Sequence, residues 1–288
     1  MRVTMSVVIM AHPKRKEQVD AVLAKLDRKD VPVIWDEKND RWDTGRRSML
    51  AYNPNCTHHL VLQDDILVPR KLIAGFRRAL EHTPGDVPVC GYYGRYRPHK
   101  ELVLETALEA EAAKASFITM HTLNWGPAIA VPTDIIPEMI AYCDPLDIPN
   151  YDRRLSRYWE LGRKMRIWYT WPSLVDHADG PSLIPGRMGT DRSERENTRV
   201  AHKFVGLEAS ALDVDWTGPV VDCKRTTAPT APTAPAAPAV QRSKLRYPVR
   251  LAVDCVLDGV PYPKGKYVER TQALALKAAG QLTDPRII

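Results

Sequence analysis

Two adjacent carboxylates follow an apolar segment in the first quarter of the chain. Residues 58–62 have the composition of a buried strand, and Asp64 and Asp65 follow after one glutamine. Because side chains alternate along a strand, one carboxylate can face a ligand while the other stabilises the turn. Such a pair at the carboxyl end of a strand suits Mg²⁺ or Mn²⁺, which can hold a diphosphate. The alternative is an N-cap, in which Asp65 accepts amide groups of the helix that follows Pro69.

The segments around this acid pair alternate between strand and helix patterns. Residues 5–11 form a continuous apolar run, typical of a strand buried on both faces. Val19, Val22 and Leu26 then lie on one face of a helix, and residues 31–35 form a second strand. Further helices are predicted near residues 42–52, 72–80, 101–116, 133–140 and from 152, and further strands at 87–93, 117–122 and 167–171. The alternation predicts an α/β fold with a three-layer arrangement.

Charged residues at two positions in the first βαβ unit and its next helix could recognise a nucleotide. Asp36 follows the second predicted strand, where such units commonly bind a base or ribose; a solvated turn is the alternative. Arg46 and Arg47 lie near the start of the next helix, where guanidinium groups match phosphate oxygens. The alternative for this pair is a surface position without a ligand.

Three later positions combine a loop with a residue that could do chemistry. In Asn124-Trp125-Gly126 the glycine lets the backbone approach a ligand, or it makes a tight turn. Asp152 lies at a loop-to-helix junction, where it is either an N-cap or a catalytic base. His177 ends a short apolar segment, where it is either a structural histidine or a metal ligand.

The composition is that of an ordinary soluble globular protein. The 288 residues carry a net charge of +6, with 44% hydrophobic and 26% charged residues. Five cysteines are scattered singly, which predicts reduced, mostly buried thiols in a cytosol-like compartment. No segment reaches the roughly 20 apolar residues of a membrane span, and the short apolar run at the start predicts no signal peptide. Glycine-rich phosphate loops of the kinase or dinucleotide type are absent from the sequence.

The C-terminal part of the chain is organised differently. Residues 226–238 form a Thr-Ala-Pro tract, which predicts an extended spacer without a core. Beyond it a strand, two turns and a helix are expected, at residues 249–253, 258–259, 262–265 and 271–280. The predicted domains are a main domain at 1–225, a linker at 226–243 and a small β-plus-helix module at 244–288.

The order and spacing of these motifs resemble the nucleotide-sugar glycosyltransferases of the GT-A type over roughly residues 5–190. The matching segments are Ala11-His12-Pro13, Gln63-Asp64-Asp65, Asn124-Trp125-Gly126, Asp152 and Ser173-Leu174-Val175-Asp176-His177. The resemblance implies a GT-A, Rossmann-like mixed sheet flanked by helices, with the nucleotide at the N-terminal βαβ unit and a metal ion at the acidic motif. Gln63 departs from the family pattern, since many relatives carry an acid there.

The resemblance also implies roles for individual residues. Asp65 and His177 are the implied ligands of Mn²⁺ or Mg²⁺, and Asp152 is the implied general base of an inverting reaction. A nucleotide-sugar, with a UDP-sugar favoured, is implied to bind at His12, Pro13, Arg15, Asp36, Arg46, Arg47, Asp64, Trp125 and Gly126. The expected activity is metal-dependent transfer of a sugar to a hydroxyl group of a macromolecule.

The C-terminal module suggests the macromolecule. Residues 244–288 resemble the small Tyr-Pro-x-Gly modules appended to bacteriophage structural and accessory proteins, which implies a phage-encoded enzyme. The expected acceptor is a virion protein, reached in the cytoplasm of the bacterial host or on the virion, and no membrane partner is expected. Three alternatives stay open: a DNA glycosyltransferase acting on a hydroxylated base, a nucleotidyltransferase, and an inactive carbohydrate- or nucleotide-binding protein of the same fold, as Gln63 suggests.

Overall fold

The computed structural model describes residues 2–95, 99–184, 189–191, 193 and 199–224, together with short strands beyond residue 248. The chain divides into two compact units, Met1–Ala228 and Pro229–Ile288. The larger unit carries every candidate site residue named above.

An eight-stranded mixed sheet forms the centre of the larger unit. The strands of this unit are β1 (Met5–Ala11), β2 (Val33–Trp35), β3 (His58–Gln63), β4 (Ile66–Leu67), β5 (Val89–Cys90), β6 (Phe117–Met120), β7 (Ala128–Pro132), β8 (Ile167–Thr170), β9 (Asp176–His177) and β10 (Val220–Asp222). In space the sheet order is β10-β6-β8-β5-β7-β3-β1-β2, while β4 and β9 pair with each other as a separate ribbon.

The strand directions bring several loops to one edge of the sheet. Strand β1 runs parallel to β2 and β3, and β5 runs parallel to β8. Strand β7 lies antiparallel between β3 and β5, whereas β6 and β10 run opposite to β8. The carboxyl ends of β1, β2, β3, β5 and β8 therefore share one edge, where open α/β sheets bind ligands. The predicted α/β class with a mixed sheet flanked by helices is confirmed.

Helices pack against the sheet through their apolar faces. Among the described residues the α-helices are α1 (Lys16–Lys25), α2 (Arg41–Leu50), α3 (Leu72–Leu80), α4 (Lys100–Ala112), α5 (Ile136–Cys143) and α6 (Tyr151–Arg157), and α6 continues as a π-helical turn at Tyr158–Arg163. The predicted inner face of α1 is buried at Val19 and Val22, and α3 buries Phe76 and Leu80. None of the helices in the described part of the chain is long and apolar enough to cross a membrane.

Three stretches of the sheet differ from the sequence prediction. Strands β7 and β10 were not predicted from the sequence. All five residues of β7 are buried, so the strand has no polar-apolar alternation to mark it, and it directly follows a Gly-Pro pair. The strand predicted at residues 87–93 is shorter, since only Val89–Cys90 pairs with its neighbours.

The smaller unit is described only in its strands. Val249–Arg250 pairs antiparallel with Tyr267–Val268, and Cys255–Leu257 pairs antiparallel with Val260–Tyr262. The second pair agrees with the turn predicted between its strands at residues 258–259. That turn itself, the linker at 226–243 and the helix at 271–280 lie outside the described residues.

The cysteines behave as the sequence predicts. Cys56, Cys90, Cys143 and Cys223 are free thiols, and all but Cys56 are buried. Burial raises the pKa of both Cys90 and Cys143 to about 12. These thiols are therefore packing residues and remain protonated at neutral pH.

A buried histidine, His59 of β3, connects α2 to the sheet by hydrogen bonds. Its Nε2 lies 2.8 Å from the carbonyl oxygen of Ser48 in α2, and its Nδ1 lies 2.8 Å from the hydroxyl of Ser6 in β1. Because a carbonyl only accepts, Nε2–H donates and Nδ1 accepts from Ser6. Burial lowers the pKa of His59 to about 4.

We expect His59 to make the fold acid-sensitive. A histidine in the unfolded chain has a pKa near 6.5, so between pH 6.5 and 4 it is protonated in the unfolded state and neutral in the folded state. The free energy of unfolding therefore decreases as the pH is lowered through this range, by about 3 kcal/mol in total. Between pH 7.5 and 5.0, His59→Gln should therefore lose about 2 kcal/mol less free energy of unfolding in urea than the wild type. His202 is half-buried, and desolvation lowers its pKa to about 4, so it accounts for part of the remaining loss. An equal loss in both proteins would contradict this role for His59.

Candidate active site

The loops after β1 and β3 meet at the carboxyl edge of the sheet. Met10 of β1 pairs with Gln63 of β3, so the residues that follow each strand lie side by side. The backbone N–H of His12 donates to Asp64 Oδ2 at 2.7 Å. His12 Nδ1 in turn accepts from the Lys14 N–H at 3.1 Å, which caps the 3₁₀ turn Pro13–Arg15. This turn fixes the direction in which Arg15 leaves the backbone.

One guanidinium group joins both carboxylates of the acid pair. Arg15 Nη1 lies 2.8 Å from Asp64 Oδ1 and 2.7 Å from Asp65 Oδ2, and Nη2 donates to the carbonyl oxygen of Pro181 at 3.3 Å. Asp64 and Asp65 are only 6% and 8% exposed. Buried carboxylates need nearby cations, and Arg15 supplies one positive charge for two negative ones.

The ribbon of β4 and β9 brings His177 to the acid pair. Ile66 pairs with His177, and the Ala178 N–H donates to the Asp65 carbonyl oxygen at 2.9 Å. His177 Nδ1 therefore lies 3.5 Å from Asp65 Oδ2. The ring of Tyr92 packs edge-on against His177, with centroids 5.1 Å apart. Backbone pairing thus joins two residues that are more than 100 positions apart in sequence.

The two carboxylates have opposite electrostatic surroundings. Burial and the charge of Asp65 raise the pKa of Asp64, and the contacts with Arg15 and the His12 N–H oppose that rise. Burial also acts to raise the pKa of Asp65, but the charges of His177 and Arg15 outweigh it and hold that pKa well below the usual range. Asp65 therefore stays ionised, and its buried Oδ1 has no hydrogen-bond partner among the described residues.

The donor atoms around Asp65 fit a divalent ion that is completed by a ligand. In the described part of the chain, no group of three or more His, Cys, Asp or Glu side chains could hold an ion by itself. Asp65 Oδ2 and His177 Nδ1, 3.5 Å apart, can nevertheless both reach one ion at bond lengths of about 2.1 Å. Mg²⁺ and Mn²⁺ sites of this kind take their remaining ligands from substrate phosphates and water.

The N-cap interpretations of Asp65 and Asp152 are both wrong. Helix α3 follows Lys71, and its first amides donate to Asp27, at 2.9 Å from Ile73 and 3.1 Å from Ala74. Asp65 therefore takes no part in capping that helix. Helix α6 follows Asn150, and Asp152 lies inside its first turn. Neither carboxylate is therefore the N-cap of the helix that follows it.

A second group of candidate residues lies beside the end of β3. The Gln63 N–H donates to the Pro127 carbonyl oxygen at 2.8 Å, and the Tyr151 hydroxyl donates to the Gly126 carbonyl oxygen at 2.6 Å. A Cβ at Gly126 would lie 3.1 Å from Tyr151 Cε1 and 3.2 Å from Asp152 Cβ. The glycine therefore lets α6 approach this loop closely, and it places the half-buried Asp152 next to Gly126.

Trp125 is a core residue that supports this loop from behind. It is 8% exposed, and its ring packs edge-on against Tyr93 at 5.3 Å, Tyr169 at 5.7 Å and Tyr92 at 6.1 Å between centroids. The sequence predicts that it binds the nucleotide-sugar. Its burial leaves the backbone of the loop, more than the indole ring, available to a ligand.

The remaining predicted nucleotide contacts have partners within the fold. Arg46 pairs with Asp144 at 2.8 Å, and Arg47 pairs with Asp43 at 2.9 Å while donating to the Trp35 carbonyl oxygen at 2.8 Å. Asp36 accepts from the amides of Lys38 and Asp40, as in the solvated-turn interpretation. Arg47 and Asp36 lie at the end of β2, beside the acid-pair loops, whereas Arg46 points to the α2–α5 contact.

Arg199 and Tyr92 also lie at the site, and neither was predicted from the sequence. The charge of Arg199 lowers the pKa of Asp65, so this residue lies close to the acid pair. Its buried Nε has no hydrogen-bond partner among the residues described. It follows a charged stretch in which arginine is frequent, so no pattern distinguished it. The sequence around Tyr92 did not indicate a site either, since tyrosines at the ends of strands are common in protein cores.

An open groove lies along the β4–β9 ribbon. Its volume is about 670 Å³, and it is lined by Leu67, Asp179, Phe204, Gly206, Leu207, Glu208 and Ala209. Leu67 lies two residues beyond Asp65, and Asp179 lies two residues beyond His177. The backbone positions of these wall residues are therefore within about 7 Å of the candidate metal ligands. We call this feature the acidic groove.

No protein-family model matches the chain, and no curated protein sequence matches it. The function proposed below therefore rests on the residues and their geometry.

We expect Arg15 to stabilise the fold through the acid pair. Arg15→Gln leaves two buried carboxylates without their shared cation, which should cost about 3 kcal/mol of unfolding free energy at pH 7. The loss should shrink at pH 5, because an uncompensated buried carboxylate has a raised pKa and takes up a proton. Lys16→Gln is the control: its exposed pair with Asp20 should contribute less than about 1 kcal/mol. Equal urea stabilities of Arg15→Gln and the control would contradict the assignment.

Proposed function

We propose that the protein is a divalent-metal-dependent glycosyltransferase, which transfers a sugar from a nucleotide-sugar to a hydroxyl group of a macromolecule. One observation carries the proposal: Asp65 is buried and ionised at the carboxyl edge of the sheet, with its Oδ2 3.5 Å from His177 Nδ1 and its Oδ1 without a hydrogen-bond partner among the described residues. An ionised carboxylate left incompletely paired in a protein interior is costly. Such an arrangement is understandable as a ligand site and hard to explain as packing.

The donor's diphosphate would bind between the 3₁₀ turn after β1 and the acid pair. Arg15 presents a fork of N–H donors there, and Arg199 brings a second guanidinium to the same place. Guanidinium groups bind phosphate oxygens in two-point contacts. A diphosphate without such cations would be repelled by Asp64 and Asp65. We favour a UDP-sugar as the donor, because the GT-A resemblance implies one.

Asp65 and His177 would hold the divalent ion, Mn²⁺ or Mg²⁺. When bound, such an ion offsets the charge that develops on the departing diphosphate. Asp64 holds the loop after β1 in place through the His12 N–H and Arg15. The two adjacent carboxylates therefore have different tasks, with Asp64 fixing the loop and Asp65 facing the ligand.

Asp152 would act on the acceptor. Its carboxylate takes the proton of the acceptor hydroxyl, whose oxygen forms a bond to the anomeric carbon as the bond from that carbon to the diphosphate breaks. The electron pair of the broken bond leaves with the nucleotide diphosphate. A single displacement of this kind inverts the anomeric configuration. The position of Asp152 beside Gly126, next to the end of β3, supports this role.

The acidic groove favours a protein acceptor over DNA. Asp179 and Glu208 contribute carboxylates, Phe204 and Leu207 contribute apolar surface, and none of the described residues that line the groove is Lys or Arg. A DNA backbone is held by basic side chains and repelled by acidic ones. A peptide that carries apolar and basic residues around its hydroxyl fits this surface. The phage origin of that protein rests on the C-terminal module alone.

Replacing either proposed metal ligand should abolish turnover. Asp65→Asn and His177→Ala should each lower the Mn²⁺-stimulated hydrolysis of a UDP-sugar by about 10³-fold, since the charge on the leaving diphosphate is then no longer offset. Asp20→Asn, an exposed carboxylate on α1, is the matched control and should keep full activity. Undiminished hydrolysis in both variants would exclude the metal assignment. Hydrolysis absent even from the wild type with each common nucleotide-sugar would favour the inactive binding protein.

Replacing the proposed base should separate binding from transfer. Asp152→Asn should bind UDP with Mn²⁺ as tightly as the wild type while transfer falls by about 10²- to 10⁴-fold, because only proton removal is lost. Calorimetry and a turnover assay measure the two quantities, with the exposed Asp147→Asn as the control. Loss of UDP binding in step with turnover, in a folded protein, would place Asp152 in the donor site instead.

Reversing a charge in the acidic groove should change acceptor preference. Glu208→Lys should raise KM for basic peptide acceptors several-fold and leave hydrolysis of the UDP-sugar unchanged, because the donor site is intact. Glu81→Lys, at the exposed end of α3, controls for net charge. If wild-type protein glycosylated hydroxylated DNA and ignored peptides, the DNA alternative would replace the protein acceptor.

A further inference from the structure

We infer that Arg15 occupies the acid pair as an internal cation and makes metal binding conditional on the diphosphate. The inference rests on the proposed function, because it assumes a diphosphate-bearing ligand. It concerns the order in which the site fills.

Arg15 and the metal ion compete for the same oxygen of Asp65. Arg15 Nη1 lies 2.7 Å from Asp65 Oδ2, and that oxygen is also the one nearest His177 Nδ1, at 3.5 Å. An ion bound to both Asp65 and His177 would have the guanidinium at its side. Two cations this close repel strongly, because burial reduces the screening by water.

The Arg15 guanidinium makes short contacts only with the two carboxylates, among the described residues. Its two short contacts are to Asp64 and Asp65, and its third contact, to the Pro181 carbonyl oxygen, is a long 3.3 Å. Arg15 is the last residue of a short 3₁₀ turn, and its side chain has several rotatable bonds. An anion that offers a fork of oxygens at the same place can therefore attract Arg15 away from the acid pair.

A diphosphate provides both the anion that attracts Arg15 and the missing metal ligands. Its oxygens accept the guanidinium in two-point contacts, and they complete the coordination that Asp65 and His177 leave open. Arg15 then leaves Asp65 Oδ2 when the ion arrives. Because coupling between two ligands is reciprocal, the ion should strengthen diphosphate binding by the same factor.

The consequence is a site that stays closed to metal until the donor is present. Free Mn²⁺ should bind the wild-type protein weakly, although Asp64 and Asp65 would otherwise attract it. Arg15 is therefore a positioning residue with two partners, the acid pair before donor binding and the diphosphate after it.

Titration of Mn²⁺, followed by the paramagnetic resonance signal of the free ion, tests this inference. UDP at saturating concentration should tighten Mn²⁺ binding to the wild type by at least about 30-fold, a coupling within the usual range. Arg15→Gln should bind Mn²⁺ at least about 10-fold tighter than the wild type without UDP, and UDP should tighten it less. Arg15→Lys keeps the charge but cannot span both carboxylates, so its affinity should lie between the two.

Equal Mn²⁺ affinities of the wild type, Arg15→Gln and Arg15→Lys without UDP would overturn the inference. So would a wild type whose Mn²⁺ affinity does not respond to UDP while UDP-sugar turnover proceeds, and in that case the proposed function stands. Failure of the proposed function is recognised differently, by the absence of calorimetric UDP binding in every variant with or without Mn²⁺. If Arg15→Gln folds only when Mn²⁺ is added, as seen by circular dichroism, that result supports the competition directly.

Discussion

Two carboxylates buried side by side are the constraint on which the rest of this site depends. Asp64 and Asp65 are almost inaccessible to water, and the Arg15 guanidinium that contacts both of them offsets their mutual repulsion in the interior. An arrangement of this kind is costly to form and adds little stability to a fold when hydrophobic residues could replace it. Its presence here, with Asp65 Oδ1 unpartnered among the described residues, is what a ligand site requires.

The sheet explains how these charges are held together. The register of β1 with β3 puts His12 beside Asp64, and the β4–β9 ribbon puts His177 beside Asp65. Both are backbone pairings, so they do not depend on the conformations of long side chains. Arg15 and Arg199, in contrast, reach the site on long side chains. The structure therefore combines acids and a histidine fixed by backbone pairing with cations on flexible side chains.

How much the sequence could predict follows from the kind of signal each feature leaves. Strand β1 and the acid pair were predictable, since a long apolar run followed by adjacent carboxylates is a local pattern. The roles of Asp64 and Asp65 were less so, because their partners Arg15 and Arg199 come from distant segments. Strand β7 was missed because its short apolar run directly follows Gly126-Pro127, a pair typical of a turn. Arg46 was predicted at a diphosphate, but its pairing with Asp144 depends on the packing of α2 beside α5, which no local pattern records.

Anomalous diffraction at the manganese edge, from crystals grown with UDP and Mn²⁺, would show where the ion and the diphosphate bind. We expect one manganese peak in contact with Asp65 and His177, a diphosphate completing its coordination, and the Arg15 guanidinium on the phosphate oxygens. A manganese ion bound elsewhere, or UDP bound away from the loops after β1 and β3, would contradict the claim that this acid pair is a nucleotide-sugar site.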